Sequence, residues 1–320
     1  MSTYESFDEV SQQALAYFDK EETLQAAYDL LTEAAAQFPE QAAITYNWRY
    51  CAAALMNKTG LALQLIQEAL EAGFWWSAAY LTSDDDLKSL QELPEFKRLV
   101  EISEAKRLAA QAEAKPLALE LPQPSTANDE HPLPLLLALH GNASNAQRSI
   151  EYWESAVAQG WRTVLLQSSQ IFNPEAYVWD DLEIGAQEIE SHYQDLTEAH
   201  PPVACVVGGF SKGGEMAIWL ALKEIIPLTG FIAVNPGGPL INAPESWIPL
   251  IEGCGTLGQM RAILLAGEND QNLPNIRALH EMLTSRGLDC QLIVAPDIGH
   301  DFPDDFEQTL ASALQYIQKS

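Results

Sequence analysis

The chain has 320 residues, of which 47% are hydrophobic, and it carries a formal net charge of −28 with a pI near 4.3. This length and composition allow one large domain with a smaller one, and the negative charge disfavours binding to nucleic acid or to anionic membrane surfaces. No apolar run reaches about 18 residues, so no transmembrane helix is expected, and the acidic N-terminus lacks a signal-peptide pattern, which predicts a cytoplasmic protein.

The first third of the chain predicts an all-α domain over residues 1–112. It is rich in Ala, Leu, Gln and Glu, with apolar residues at three- and four-residue spacing. Pro39 and Gly60 interrupt this pattern. The predicted helices cover residues 4–18, 22–38, 41–57 and 61–72, followed by shorter helices to about residue 111.

These helices contain an internal repeat. Ala27 and Ala34 match Ala62 and Ala69 at an offset of about 35 residues. A repeat of about 34 residues made of two helices resembles the tetratricopeptide repeat. We therefore interpret the domain as tetratricopeptide-like, which implies a possible peptide or protein partner. The tryptophan pair at residues 75–76 is expected to seal the last helices.

Residues 113–132 lose the helical period and gain prolines, which predicts a linker. Residues 117–121 are an alternative first strand, at the edge of the following domain. From residue 133 to residue 320, apolar strands alternate with amphipathic helices, which indicates a mostly parallel α/β sheet covered on both faces. The predicted strands are 135–139, 163–167, 203–207, 230–234, 262–265 and 291–294, and the helices are 145–159, 183–199, 212–224, 273–286 and 303–318.

A sharp turn between a strand and a helix carries the strongest functional signal. The strand at 203–207 runs into Gly209-Phe210-Ser211-Lys212-Gly213, and a helix-forming stretch follows at once. A serine at such an apex is held in a strained conformation, and the flanking Gly209 and Gly213 let the strand and helix approach closely. This arrangement predicts that Ser211 is a nucleophile.

A serine nucleophile needs a base and an acid that orients the base. The predicted base is His300, in the loop after the strand at 291–294. The predicted acid is Asp270, directly after the strand at 262–265, and Glu268 is its rival on the same loop. We favour Asp270 because Glu268 and Asn269 extend the loop toward His300. The order serine, acid, histidine is that of the α/β-hydrolases.

The developing oxyanion needs preorganised backbone N–H groups. Lys212 follows the nucleophile at a helix N-terminus and supplies one group, while we expect its side chain to play no part. Asn142 is predicted to supply the other, with Gly141 giving the tight approach after the strand at 135–139. An apolar substrate pocket is predicted from Phe210, Trp179 and Trp247.

Gly-Phe-Ser-Lys-Gly-Gly, the earlier Leu-His-Gly and the later Gly-His resemble motifs of the phospholipase/carboxylesterase branch of the α/β-hydrolases. The Trp179-Asp180 pair is also similar to that branch. The resemblance covers about residues 117–320 and implies that Ser211, Asp270 and His300 are the nucleophile, acid and base. The chain departs from the branch at Lys212, which replaces a glutamine, and at Ala143, where a second glycine is common.

The predicted function is hydrolysis of a small carboxylic ester or thioester through an acyl-enzyme. One alternative is a non-catalytic protein that recruits a partner through its helical repeats. Another is a peptidase or lactonase that uses the same triad. Cys51, Cys205, Cys254 and Cys290 have no metal-binding spacing, so no metal and no cofactor are predicted.

Overall fold

The computed structural model describes residues 4–18, 20–123 and 132–318, so part of the predicted linker lies outside the described residues. The chain divides into two compact units. One contains the chain up to Glu113 together with Ile171–Glu175, and the other contains Ala114–Gln170 and the chain from Ala176 onward. No helix among the described residues is long and apolar enough to cross a membrane.

The first unit is built from helices, as the sequence predicts. Ala27, Ala34, Ala62 and Ala69 are at most 1% exposed, and such small side chains let neighbouring helices approach closely. The tryptophans at 75–76 are buried as well, in agreement with their expected sealing role. The helices are α1 (Phe7–Phe18), α2 (Leu24–Gln37), α3 (Ala42–Leu55), α4 (Thr59–Glu71), α5 (Ala78–Ser83) and α6 (Pro94–Glu113).

A short segment from the second half of the chain packs with these helices. The ring of Phe172 lies 5.1 Å from the ring of Tyr80 in an edge-to-face arrangement. The backbone N–H of Ile171 donates to the side chain of Gln111 at 3.0 Å. No feature of the sequence predicted that this segment belongs to the helical unit.

The second unit is an α/β structure. The strands of its main sheet are β1 (Leu117–Glu120), β2 (Leu135–Leu139), β3 (Arg162–Gln167), β6 (Cys205–Phe210), β7 (Gly230–Val234), β8 (Arg261–Gly267) and β9 (Asp289–Ala295). The short strand β4 (Ile171–Asn173) belongs to the first unit, whereas β5 (Ala176–Tyr177) also lies in the second unit. Its helices are α7 (Ile150–Trp153), α8 (Ser155–Ala158), α9 (Leu182–Thr197), α10 (Lys212–Lys223), α11 (Pro239–Asn242), α12 (Ile248–Gly253), α13 (Leu273–Ser285) and α14 (Phe306–Gln318).

The main sheet has the strand order β1-β3-β2-β6-β7-β8-β9, in which β1 is antiparallel to β3 and the remaining pairs are parallel. The mostly parallel sheet is therefore confirmed, and β1 lies at its edge, in the segment where a first strand was the alternative to a linker. Two segments differ most from the prediction. Strand β6 begins only at Cys205, where pairing with Leu135 begins, and Val203 is 66% exposed. The predicted helix 145–159 begins later and is interrupted: Ser144 forms a bridge with Tyr177, a 3-10 turn covers Gln147–Ser149, and α7 and α8 follow with a break at Glu154.

Side chains of the central strands alternate between two apolar layers. On β2, Leu135, Leu137 and Leu139 face one core, whereas Leu136 and Ala138 face the other, and all are fully buried. This period of two is the geometry of a strand, and burial on both faces is typical of a parallel sheet covered by helices. Because β2, β6, β7, β8 and β9 run parallel to one another, their carboxyl ends meet at one edge of the sheet.

Candidate active site

Ser211 stands at the turn between β6 and α10. Its φ of 52° and ψ of −119° are costly for a residue with a side chain. The turn is tight because a Cβ at Gly209 would lie 2.2 Å from the carbonyl oxygen of Gly213, and a Cβ at Gly213 would lie 2.4 Å from that of His140. The N–H of Ser211 donates to the Val234 carbonyl at 2.9 Å. The hydroxyl is thereby held at the carboxyl edge of the sheet.

The predicted nucleophile, base and acid form one chain of hydrogen bonds. Ser211 Oγ lies 2.8 Å from His300 Nε2, and His300 Nδ1 lies 2.8 Å from Asp270 Oδ2. The other oxygen of Asp270 accepts the N–H of Asn272 at 2.8 Å. The Asp270 side chain is fully buried, whereas that of His300 is 37% exposed. The imidazole is therefore oriented from one side and open to a reactant on the other.

Glu268, the alternative acid, makes a different contact. The carboxylate of Glu268 is exposed and accepts the backbone N–H of Asp297 at 3.3 Å. It thus supports the loop before His300 rather than the imidazole ring. The loop of Asp270 and the loop of His300 are also joined by a backbone hydrogen bond, in which the N–H of Asn269 donates to the carbonyl of Ile298 at 2.8 Å.

Asn235 links the loops that carry Asp270 and His300, and the sequence analysis missed it. Its Oδ1 accepts the N–H of Gly267 at 2.7 Å, and its Nδ2 donates to the carbonyl of Asp301. The residue is fully buried. Its signal in the sequence is a polar residue directly after the apolar strand β7, at the sheet edge that also carries Ser211.

The predicted oxyanion donors face the same cleft as the serine. Asn142 and Lys212 both line this cleft with Ser211. Gly141 is needed before Asn142 because a Cβ there would lie 2.8 Å from the ring of Phe210. The loop after β2 therefore runs against the turn that carries Ser211. That the N–H groups of Asn142 and Lys212 bind an oxyanion stays a prediction.

A buried histidine and a tryptophan support this loop. His140 stacks on Trp179 with ring centroids 4.9 Å apart, and the indole N–H of Trp179 donates to the His140 carbonyl at 3.0 Å. His140 Nδ1 lies 2.7 Å from the Gly141 carbonyl, and Nε2 lies 3.4 Å from the N–H of Ser168. Burial lowers the pKa of His140 to about 4, so the ring is neutral, donating through Nδ1 and accepting through Nε2.

The prediction of an apolar pocket is corrected by the structure. Trp179 and Trp247 are fully buried core residues, so neither presents a surface to a substrate. Phe210 lies beside His300 but stacks on Phe302 at 4.6 Å. The cleft at Ser211 has a volume of about 380 Å³ and is lined by Asn142, Asp180, Ser211, Lys212, Gly237, Gly238, Pro239, Asn242, Gln271, Asn272 and His300.

The side chain of Lys212 has a partner that the sequence analysis did not expect. Its ammonium forms a buried ion pair with Glu215, one turn along α10, and the two side chains are 7% and 0% exposed. Glu215 also accepts the backbone N–H groups of Leu240 and Ile241 at 2.7 and 3.1 Å. The signal in the sequence is a base at i and an acid at i+3, directly before the apolar run from Met216 to Leu222.

The helical unit has a cleft of its own, about 470 Å³ in volume, with an aromatic side formed by Phe18 and Trp48. On its polar side, the thiol of Cys51 and the carboxylates of Asp84 and Asp86 bring potential ligand atoms within 4.8 Å of one another. Burial and the neighbouring carboxylates raise the pKa of Cys51 well above its usual value. The neutral thiol lies 3.7 Å from Asp84 Oδ2.

Comparison with known proteins bears on both units. Residues 6–111 match the family model described as "A/B hydrolase-like, N-terminal domain". An uncharacterized protein from Bacillus cereus is 26% identical in a structural alignment that covers 98% of this chain and 99% of that chain, with a TM-score of 0.54. Esterase PE8 is 21% identical over 63% of this chain and 99% of that chain, with a TM-score of 0.53. No curated protein matches the sequence significantly.

Proposed function

We propose that this protein, which has an α/β-hydrolase fold behind an N-terminal helical domain, is a serine hydrolase that cleaves carboxylic esters or thioesters through an acyl-enzyme. The observation that carries the proposal is the chain of 2.8 Å hydrogen bonds from Ser211 through His300 to Asp270. The motif resemblance to carboxylesterases supports an ester or thioester as the substrate.

In the acylation step, Ser211 Oγ attacks the acyl carbon while His300 Nε2 takes the hydroxyl proton. Asp270 holds the ring through Nδ1 and stabilises the imidazolium that forms. Its position is fixed because its second oxygen accepts a backbone N–H. The acyl carbonyl oxygen gains negative charge, and the N–H groups of Asn142 and Lys212 are the proposed donors to it.

The tetrahedral intermediate collapses when the bond to the leaving group breaks and His300 returns its proton to the departing alcohol or thiol. Water then attacks the acyl-enzyme while His300 again accepts a proton. The second collapse releases the acid and restores the hydroxyl of Ser211. The neutral His140 and the indole of Trp179 keep the oxyanion loop in place throughout.

Labelling by a fluorophosphonate probe tests the proposal. Wild type is expected to be labelled and to hydrolyse p-nitrophenyl butyrate, and Ser211→Ala to lose both activities. Ser246→Ala, an exposed serine outside the cleft, is the matched control and should behave as wild type. Equal labelling of wild type and Ser211→Ala would refute the assignment. Parallel assays with peptide and lactone substrates separate the alternative bond types.

A partner-recruiting role of the helical unit is a second candidate. Its cleft combines aromatic rings with the carboxylates of Asp84 and Asp86, a combination that suits a basic peptide. Titration of the full-length protein with an Arg- and Lys-rich peptide should show saturable binding that Asp84→Asn/Asp86→Asn abolishes. Equal binding by this variant would contradict the assignment of the cleft.

A further inference from the structure

The chemistry of the active-site cleft restricts the acyl groups that it can bind. The lining side chains are mostly amides and a carboxylate, and among the described residues of the lining only Pro239 contributes an apolar side chain. A long acyl chain gains binding energy by leaving water for an apolar surface. Against these amides that gain is smaller, because the chain would displace water from Asn142, Asn242 and Gln271 without replacing its hydrogen bonds.

The small size of the cleft also disfavours long acyl chains. Its volume of about 380 Å³ lies near the lower end of the roughly 300–1,000 Å³ that is usual for small-molecule sites. Because the cleft is open to solvent, a longer chain would gain further apolar contact only if a wall moved. One wall close to the reacting hydroxyl is the loop from Gly237 to Asn242, where a Cβ at Gly237 would lie 3.5 Å from Ser211 Oγ.

This wall is anchored to α10 by the buried carboxylate of Glu215. One carboxylate oxygen accepts the N–H groups of Leu240 and Ile241. Gly238 packs so closely on the carboxylate that a Cβ would lie 2.3 Å from Glu215 Oε2, and its φ of 148° also requires glycine. The N–H of Gly237 donates to the Ser211 carbonyl at 3.0 Å. The loop is thus bound at several points to the helix that begins beside the nucleophile.

Lys212 makes this anchor stable. A carboxylate that is 0% exposed is costly to bury unless it is paired and hydrogen-bonded. The ammonium of Lys212 supplies the pairing charge, from the residue whose backbone N–H is the proposed oxyanion donor. Removing one member of the pair would leave the other charge buried without a partner, and the wall would loosen.

We propose that the cleft selects esters or thioesters with a short acyl chain, and that the ion pair of Lys212 and Glu215 maintains this selectivity by fixing the wall from Gly237 to Asn242. The inference rests on the proposed serine-hydrolase function and defines its substrate class. Glu215 is a positioning residue, since it acts through the loop and does not line the cleft.

The first test is a series of p-nitrophenyl esters from acetate to octanoate. An apolar acyl pocket would raise kcat/KM roughly fourfold for each methylene that it buries. Here kcat/KM is expected to be highest for acetate or butyrate and at least about tenfold lower for octanoate. A value that rises steadily with chain length would overturn the inference. If wild type were not labelled by the fluorophosphonate probe, the proposed function itself would fail.

The second test measures the octanoate-to-butyrate ratio of kcat/KM in Glu215→Gln. The ratio is expected to rise at least about fivefold through KM for octanoate, while the protein remains reactive to the probe. Glu183→Gln removes an exposed carboxylate that pairs with Lys223 at 3.5 Å and is the matched control. Equal ratios in both variants would refute the role of Glu215.

A second variant covers the case in which Glu215→Gln does not fold. Lys212→Gln/Glu215→Gln removes both charges, so that no unpaired charge is buried. It should fold and show the relaxed ratio. A folded double variant that keeps the wild-type ratio would equally refute the role of the ion pair in selectivity.

Discussion

The strained backbone at Ser211 predicts a measurable gain in stability on replacement by glycine. Its φ of 52° and ψ of −119° cost a residue with a Cβ about 1–3 kcal/mol, whereas glycine adopts them without strain. Glycine loses about 0.5–1 kcal/mol more backbone entropy on folding. Ser211→Gly should therefore be more stable than Ser211→Ala by about 1 kcal/mol. Both variants lose the hydrogen bond to His300, so that loss cancels in the comparison.

The assay is thermal unfolding of the two variants under identical conditions, in which the difference should appear as a Tm higher by about 2–4 °C for Ser211→Gly. Ser312, exposed in the middle of α14, provides the matched pair. There Ser312→Gly should be less stable than Ser312→Ala by about 1 kcal/mol. If glycine were also destabilising relative to alanine at position 211, the turn would not store strain and the reasoning would be refuted.

The site geometry leads to further predictions. Asp270→Asn should lower kcat by about 10³–10⁴-fold without unfolding the protein, because the amide no longer favours the required imidazole tautomer; a fall below tenfold would contradict its role. His140 has a folded pKa of about 4, below its unfolded value, so its neutral form contributes stability above about pH 6.5 that is lost as the pH falls toward 4. The unfolding free energy of wild type relative to His140→Asn should decrease by about 3 kcal/mol over that window, and a constant difference would argue against a neutral His140. Trp179→Phe removes the indole donor to the His140 carbonyl and should cost about 1–3 kcal/mol in urea unfolding and lower kcat more than it raises KM. If Trp179→Phe lost stability but kept its kcat, Trp179 would have only a structural role in the core.

Most of the fold was predictable because its signals are local. The apolar strands β2, β7 and β8 lie close to their predicted positions, since burial on both faces requires a continuous apolar run. The turn at Ser211 was predictable for the same reason, because its glycines are needed by close contacts between neighbouring elements. The helical part of the first unit likewise follows from its periodicity, while its repeat class stays a prediction.

The pocket was not predictable in this way. Trp179 and Trp247 were expected at its wall, yet both are in the core. An aromatic residue near a motif gives the same local pattern whether its ring points into a cleft or into the layer of helices below. The packing of the whole sheet decides between these positions, and here it leaves a cleft with mostly polar side chains.

Local sequence patterns were enough to predict the mostly parallel sheet, the strained serine turn and the order in which serine, acid and histidine follow their strands. These properties depend on the periodicity and turn chemistry of short segments. The sequence already favoured Asp270 over Glu268, and the fold brings Asp270 to His300. In contrast, the place of Asn235 between the two loops and the pairing of Lys212 with Glu215 beneath the cleft wall emerge only from the folded chain. The reason is that these contacts join loops distant in the chain, whose paths depend on how the strands align at one edge of the sheet.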